Sequence, residues 1–107
     1  MYYVYMLRCT DNSIYTGITN HIEKRYTRHI SKAPSAAKYT KSRNVSGIEA
    51  IWETSDKSHA LKLECRIKRL TKLKKEQLII NPQNLPEGID KEAYVYMGNS
   101  IEKISHR

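Results

Sequence analysis

At 107 residues the chain is long enough for one small domain with a modest hydrophobic core. Its 19 Lys and Arg residues exceed its 11 Asp and Glu residues, and the formal net charge of +8 favours a polyanionic partner, although many small soluble proteins are simply basic. No apolar run reaches the length of a membrane span and no signal-peptide pattern is present, so the composition predicts a cytoplasmic protein that does not contact a membrane.

The first predicted element is an antiparallel hairpin. The run from Tyr2 to Cys9 is rich in β-forming residues and apolar on both faces, which is typical of a central strand. Thr10-Asp11-Asn12 supplies turn chemistry, and a second strand follows from Ser13 to Ile18.

The turn determines which residues of the hairpin face each other. A three-residue loop with Asn12 in the left-handed conformation sets Leu7 opposite Tyr15 and Tyr5 opposite Gly17. Tyr5 and Tyr15 then lie diagonally on one face, and Gly17 leaves space for Tyr5. A two-residue loop would instead put the two tyrosines on opposite faces.

After Gly17 the apolar period changes to that of a helix. The predicted apolar row consists of Ile22, Tyr26 and Ile30. Asn20 is the predicted N-cap. Arg25 and His29 are also four residues apart, so we expect them one above the other at the boundary between core and solvent.

The stretch from Ser31 to Gly47 has little apolar periodicity and is predicted to be a long loop. Three cations surround one aromatic residue there: Lys38, Tyr39, Lys41 and Arg43. This combination fits a nucleic-acid-binding loop that holds phosphates and stacks on a base. A solvated basic loop without a ligand fits it equally well.

A third strand is predicted from Ile48 to Thr54, with Ile48, Ala50 and Trp52 on one face. A helix is predicted to begin near Ser58. Its apolar stripe is predicted to be Ala60, Leu63, Ile67 and Leu70. Glu64 lies at the edge of that stripe, turned toward the core side.

Thr71 is predicted to cap a further short helix over Lys72 to Ile80, which Pro82 ends. The composition then shifts to Pro, Gly and scattered charge, so the chain divides into a domain of residues 1–80 and a C-terminal extension of residues 81–107. Tyr94 to Met97 repeats the tetrapeptide of Tyr3 to Met6. An edge strand, a helix and a partly ordered tail are all compatible with it.

The motifs together resemble one known family. Val4-Tyr5-Met6, Tyr15-Thr16-Gly17, Arg25, His29 and the run from Ala60 to Glu64 are similar, in order and spacing, to the GIY-YIG nuclease domain. The likeness is closest to its small stand-alone bacterial members and covers residues 1–80. It keeps only the tyrosine of the first tripeptide and Tyr-x-Gly of the second. The implied fold is α+β: a three-stranded antiparallel sheet flanked by three helices, with the short extension.

The resemblance implies a metal-dependent endonuclease that hydrolyses DNA, branched or damaged, in repair or recombination, without a small-molecule cofactor. Its implied catalytic residues are Tyr5, Tyr15, Arg25 and His29. Gly17 belongs to the structural motif, and Glu64 would bind Mg²⁺ or Mn²⁺. One carboxylate suits magnesium, which retains much of its water. We expect all these side chains to share one pocket.

The residues by themselves leave other roles open. Glu64 lies four residues before Lys68, which on spacing alone favours an intrahelical ion pair. Arg25 could be a solvated helix position, and His29 could serve packing alone. Tyrosine has an ordinary pKa of about 10, so Tyr15, the expected water activator, requires nearby cations to act as a base. The alternative function is a nucleic-acid-binding module that keeps the fold and does not cut.

Overall fold

The computed structural model describes residues 1–31 and 44–101. They form an antiparallel sheet of four strands: β1 (Tyr2–Cys9), β2 (Ile14–Thr19), β3 (Val45–Thr54) and β4 (Tyr94–Tyr96), in the order β2-β1-β3-β4. The helices are α1 (Ile22–Ser31), α2 (Lys57–Lys68) and α3 (Lys72–Ile80), with a 3-10 turn at Lys91–Ala93. The predicted α+β class is confirmed. The predicted count of three strands is wrong, because the C-terminal extension adds β4. None of the described helices has the length and hydropathy needed to cross a membrane.

The hairpin has the predicted register. Asn12 adopts a φ of 69°, in the left-handed region, and Cys9 N–H donates to the Ser13 carbonyl at 2.9 Å. Tyr5 consequently pairs with Gly17, and Leu7 with Tyr15. The turn residue therefore determines which face each tyrosine occupies.

β1 is buried on both sides because each face of the sheet carries its own apolar cluster. Tyr5, Leu7, Ile22 and Ile51 form the cluster on the side of α1, which we call the tyrosine face. Val4 and Met6 point to the opposite face, where the larger cluster lies. That cluster contains Trp52 of β3 and the buried residues of α2, namely Ala60, Leu63 and Ile67. Helices α1 and α2 therefore cover opposite faces of the sheet.

An irregularity in β3 changes its alternation. Met6 pairs with Ala50 but Leu7 pairs with Ile48, so Glu49 is one extra residue on β3. Such a bulge reverses the facing of the residues beyond it. Ile48 accordingly packs on the tyrosine face, and its predicted position beside Ala50 and Trp52 is wrong.

The bulged Glu49 contributes to an ion-pair junction. Arg8 Nη2 lies 2.9 Å from Glu49 Oε2, and Arg8 Nη1 lies 2.6 Å from Glu76 Oε2 of α3. The hydrogen bond from Arg8 lowers the pKa of Glu76 to about 2. One guanidinium thus joins β1, β3 and α3.

Side-chain caps begin α2 and α3. Asp56 accepts a hydrogen bond from His59 N–H at 2.8 Å, and Thr71 accepts one from Lys74 N–H at 3.2 Å, as predicted for Thr71. The hydrogen bond from the His59 backbone lowers the pKa of Asp56 to about 2.

Helix α1 differs from its prediction in two respects. It begins at Ile22, so His21 rather than Asn20 occupies the capping position, and its carbonyl accepts from Arg25 N–H at 3.1 Å. Its buried residues are Ile22 and His29, whereas Ile30 is 54% exposed. The predicted burial of Ile30 is wrong, because the helix turns its His29 side into the tyrosine face.

The C-terminal extension packs on the sheet. The Trp52 indole donates to the Pro82 carbonyl at 3.2 Å, and the Tyr94 hydroxyl donates to the His59 carbonyl at 2.6 Å. Leu85 and Ile89 join Tyr94 in the larger apolar cluster. Of the three structures that the sequence left open for Tyr94 to Met97, an edge strand forms, paired with β3 over Trp52 to Thr54.

Candidate active site

The two motif tyrosines meet across the hairpin. Their ring centroids are 6.2 Å apart, with Tyr5 buried and Tyr15 half-buried. A Cβ atom on Gly17 would lie 2.6 Å from Tyr5 Oη and 3.0 Å from Tyr15 Cε2. Only glycine leaves room for this arrangement, so the predicted space that Gly17 leaves for Tyr5 is confirmed.

His29 completes a three-ring cluster. Its Nε2 lies 2.9 Å from Tyr5 Oη, and its ring centroid lies 5.2 Å from that of Tyr15. His29 is fully buried, so its predicted location at the solvent boundary is wrong. Burial lowers its pKa to about 4, and the Arg25 charge acts in the same direction. The imidazole is therefore neutral at neutral pH.

Arg25 brings a positive charge to the same cluster. Burial raises the pKa of Tyr5 far above its ordinary value and the neighbouring Tyr15 raises it further. A hydrogen bond with Arg25 acts against both, because a cation favours the phenolate. Burial prevails, so Tyr5 keeps its proton at neutral pH. Tyr5, Tyr15, Arg25 and His29 thus lie together, on β1, β2 and α1.

Glu64, the predicted metal ligand, lies on a different element from the four clustered residues. It belongs to α2, whose buried residues pack on the face opposite the tyrosines. Its side chain is 19% exposed, and its Oε2 lies 3.4 Å from Lys68 Nζ, the intrahelical pair that spacing favours. Helix α2 also contacts β2, the edge strand that carries Tyr15 and Gly17. The structure thus brings Tyr5, Tyr15, Arg25 and His29 together and puts the helix of Glu64 on the other face, so a pocket shared by all five side chains stays a prediction.

The donor set restricts which metal the chain could bind. The described residues contain no group of three or more His, Cys, Asp or Glu side chains that could hold an ion. A single carboxylate is a hard oxygen ligand, and magnesium is bound through one or two carboxylates with water and substrate oxygens. Glu64 fits that pattern; a transition-metal site built from several His or Cys ligands does not.

The predicted nucleic-acid-binding loop residues are Lys38, Tyr39, Lys41 and Arg43, and they lie outside the described residues. Their role stays a prediction.

One acidic residue on the tyrosine face was not predicted as part of the site. Glu53 pairs across the sheet with Tyr3, two residues before Tyr5, and is only 3% exposed. The alternation of residues along β3 puts Glu53 on the same face as Ile51, and this pattern in the sequence could have identified it. Glu53 therefore adds a buried carboxyl group to the tyrosine face.

Comparison with known proteins identifies a family model and several similar chains. The family model described as the GIY-YIG catalytic domain matches residues 1–77. A UPF0213 protein of Fusobacterium nucleatum is 45% identical, over 83% of this chain and 87% of its own. One from Yersinia enterocolitica is 37% identical, over 84% of this chain and 92% of its own.

A solved relative also exists. The solution NMR structure of the UPF0213 protein from Bacillus halodurans is 37% identical, covers 75% of this chain and 84% of that one, and has a TM-score of 0.47. The match of the family model to residues 1–77, together with the relatives from Fusobacterium nucleatum and Yersinia enterocolitica, shows that the chain belongs to the GIY-YIG family, whose domain is of the nuclease type.

Proposed function

We propose that this protein is a metal-dependent DNA endonuclease that hydrolyses phosphodiester bonds on the tyrosine face. The observation that carries the proposal is the contact of Tyr5, Tyr15 and His29 in one cluster, with Arg25 hydrogen-bonded to Tyr5. The nuclease-type family and a net charge of +8 support a nucleic-acid substrate.

The two phenols have different roles in this proposal. Tyr5 is buried and keeps its proton, so it positions groups rather than accepting a proton. Tyr15 is half-buried and within reach of solvent; once it has lost its own proton to solvent, its phenolate takes a proton from the attacking water and so activates it. The water oxygen then attacks phosphorus, the bond to the leaving oxygen breaks, and that oxygen takes up a proton from solvent, while Tyr15 returns the proton that it accepted to solvent.

Arg25 and His29 support this step from α1. The guanidinium stays charged at any relevant pH, so it stabilises the negative charge that develops on the phosphate oxygens. His29 is neutral, and its hydrogen bond holds the Tyr5 ring in place at 2.9 Å.

Glu64 is the proposed anchor for Mg²⁺ or Mn²⁺, with water and substrate supplying the other oxygen ligands. A bound divalent cation would act as a Lewis acid on a phosphate oxygen. This role requires Glu64 to exchange its pair with Lys68 for the ion at the edge of β2.

The cellular role that we propose is DNA repair or recombination, with branched or damaged DNA as substrate. The test is incubation of the purified protein with linear, nicked and branched DNA, with magnesium and with a chelator. Cleavage of branched or nicked DNA that requires the metal is expected. Equal cleavage of all three substrates would contradict the proposed preference.

Two substitutions test the assigned roles. Glu64→Gln is expected to abolish metal-dependent cleavage with the fold intact, and Glu92→Gln on the exposed 3-10 turn is the matched control for loss of one carboxylate. Tyr15→Phe is expected to reduce the cleavage rate more than DNA affinity. Undiminished cleavage by Glu64→Gln would remove the metal assignment.

A second candidate is a nucleic-acid-binding module that does not cut. The pairing of Glu64 with Lys68, on a helix that packs on the opposite face, favours it. Retention of DNA with magnesium present and no cleavage of any substrate is the result expected of such a module.

A further inference from the structure

A cleft lies on the face opposite the tyrosines, where the end of α2, helix α3 and the segment after α3 meet. Its volume is about 520 Å³, which is within the range of roughly 300–1,000 Å³ found for small-molecule sites. The wall formed by residues 84–87 lies beyond residue 77, where the match to the family model ends. The extension therefore supplies four of the ten residues that line this cleft.

Three cations line the cleft: Arg66, Arg69 and Lys74. Within residues 1–31 and 44–101, no ion pair involves any of them. One carboxylate, Glu87, also belongs to the lining, so the cations outnumber the acid. The Arg66 guanidinium passes close to Gly88, whose φ is +81° and whose added Cβ would lie 3.1 Å from Arg66 Nη2. These charges would attract an anion of the size of a phosphate.

The rest of the cleft is lined by uncharged side chains, both apolar and polar. Leu70, Leu85 and Pro86 provide apolar surface, and Gln77 and Asn84 provide amide donors and acceptors. Apolar side chains hold unstacked bases in other proteins, and side-chain amides hydrogen-bond base edges. Phosphate, flat ring and polar edge are the three chemical features of a nucleotide.

We propose that this cleft binds one unstacked nucleotide of a single strand. Its phosphate lies against Arg66, Arg69 and Lys74, and its base lies on the surface of Leu70 and Pro86, which are half-buried. The inference rests on the proposed nucleic-acid substrate and extends it, because the strand would then contact both faces of the domain. A free mononucleotide has the same chemistry, so the experiment must separate the two sources.

The experiment measures binding in the presence of a chelator, so that its result does not depend on cleavage. The probe is a fluorescein-labelled single-stranded oligonucleotide, followed by anisotropy over a range of salt concentrations. The cleft variant is Arg69→Gln with Lys74→Gln. The matched control is Lys57→Gln with Lys62→Gln, which removes the same charge from exposed positions of α2 outside the cleft.

We expect the cleft variant to bind the oligonucleotide about ten-fold more weakly. The slope of log affinity against log salt concentration should fall in magnitude by about 1.4, because each phosphate contact on a single strand contributes about 0.7. The control should change both quantities much less. Equal weakening by the two variants would overturn the proposal, because net charge alone would then account for binding. Failure of the unaltered protein to bind the oligonucleotide would overturn it as well.

A second measurement tests the base and the source of the ligand. NMR spectra of the Leu70 and Leu85 methyl groups are recorded with the oligonucleotide, with an abasic oligonucleotide, with dAMP and with inorganic phosphate. The proposal is supported if the methyl chemical shifts change more with the intact oligonucleotide than with the abasic oligonucleotide or with inorganic phosphate. Shifts with dAMP equal to those with the strand would overturn the single-strand assignment in favour of a free-nucleotide site. Loss of cleavage in Tyr15→Phe with these shifts unchanged would separate the two sites.

Discussion

A methyl group at position 17 would lie 2.6 Å from Tyr5 Oη and 2.8 Å from Tyr5 Cζ. Neither distance is possible for a real Cβ, so the buried Tyr5 ring would have to leave its place beside His29. Because Tyr5 is enclosed by Leu7, Ile22 and Ile51, its displacement disturbs the core of the tyrosine face as well as the site.

Gly17→Ala is therefore expected to weaken the Tyr5–His29 contact and to lower DNA cleavage at least ten-fold, with a loss of about 1–3 kcal/mol in unfolding free energy from overpacking. Gly47→Ala is the control, since a Cβ there meets nothing within 4 Å. The measurements are the NMR signals of His29, cleavage rate and urea unfolding. An unchanged His29 signal in Gly17→Ala would contradict the geometry.

Thr16 presents the opposite situation, a polar group in apolar surroundings. Its side chain is 3% exposed, and its hydroxyl makes no hydrogen bond within the described part of the chain. It stands at the middle position of the second motif, pointing to the opposite face with Ile14 and Ile18. An unsatisfied buried hydroxyl lowers stability.

Thr16→Val removes that hydroxyl at nearly constant shape, and we expect unfolding free energy to rise by about 1 kcal/mol. Thr19→Val on the same strand is the comparison, because the Thr19 hydroxyl accepts a hydrogen bond from His21 N–H at 3.1 Å. That variant should lose stability. Destabilisation by both, measured in urea, would show that Thr16 has a partner.

At the scale of elements, the extension after α3 is an integral layer of the domain. Its attachments are the Pro82 carbonyl, the Tyr94 hydroxyl and the pairing of β4 with β3. Leu85 and Ile89 are each only 9% exposed, which indicates that the segment contributes apolar burial as well as hydrogen bonds.

Tyr94→Phe removes the hydrogen bond to the His59 carbonyl, and we expect a loss of about 1 kcal/mol in unfolding free energy. Val95→Thr, at a position of β4 that is 57% exposed, should alter stability by less than about 0.5 kcal/mol. Thermal unfolding of both variants checks this. A neutral Tyr94→Phe would mean that the extension is attached by burial alone.

For the whole molecule, His29 couples stability to pH. The unfolded chain protonates this ring near its ordinary pKa of 6.5, whereas the folded protein holds its pKa at about 4 through burial and the Arg25 charge. Between these values the unfolded state binds more protons, so stability falls as pH falls from 6.5 to 4. Above pH 6.5 the ring is neutral in both states and has no effect.

We expect the unfolding free energy to fall by on the order of 3 kcal/mol as the pH is lowered from 6.5 to 4. Glutamine at position 29 can still accept a hydrogen bond but does not titrate. The unfolding free energy of the His29→Gln variant should therefore be nearly independent of pH between 4 and 6.5. The carboxyls of Asp56 and Glu76 have pKa values of about 2 and weaken the fold at lower pH. Urea unfolding from pH 4 to 7 tests the prediction, and parallel curves for the two proteins would refute it.

Local chemistry was sufficient to determine the hairpin, its register and the Thr71 cap of α3. Asn12, Gly17 and Thr71 act within a few residues along the chain, so sequence alone determined where Tyr5 and Tyr15 meet. The nuclease-type family followed from the order and spacing of the motif residues.

Only the tertiary structure decided which side chains become buried and on which face. His29 is buried instead of Ile30. The Glu49 bulge moves Ile48 to the tyrosine face, and β4 pairs with β3, a strand about 40 residues earlier in the chain. The tertiary structure also put the buried residues of α2, the helix that carries Glu64, on the face opposite the tyrosines. The physical reason is that burial depends on the neighbours that pack from distant parts of the chain, and periodicity within one element does not contain them.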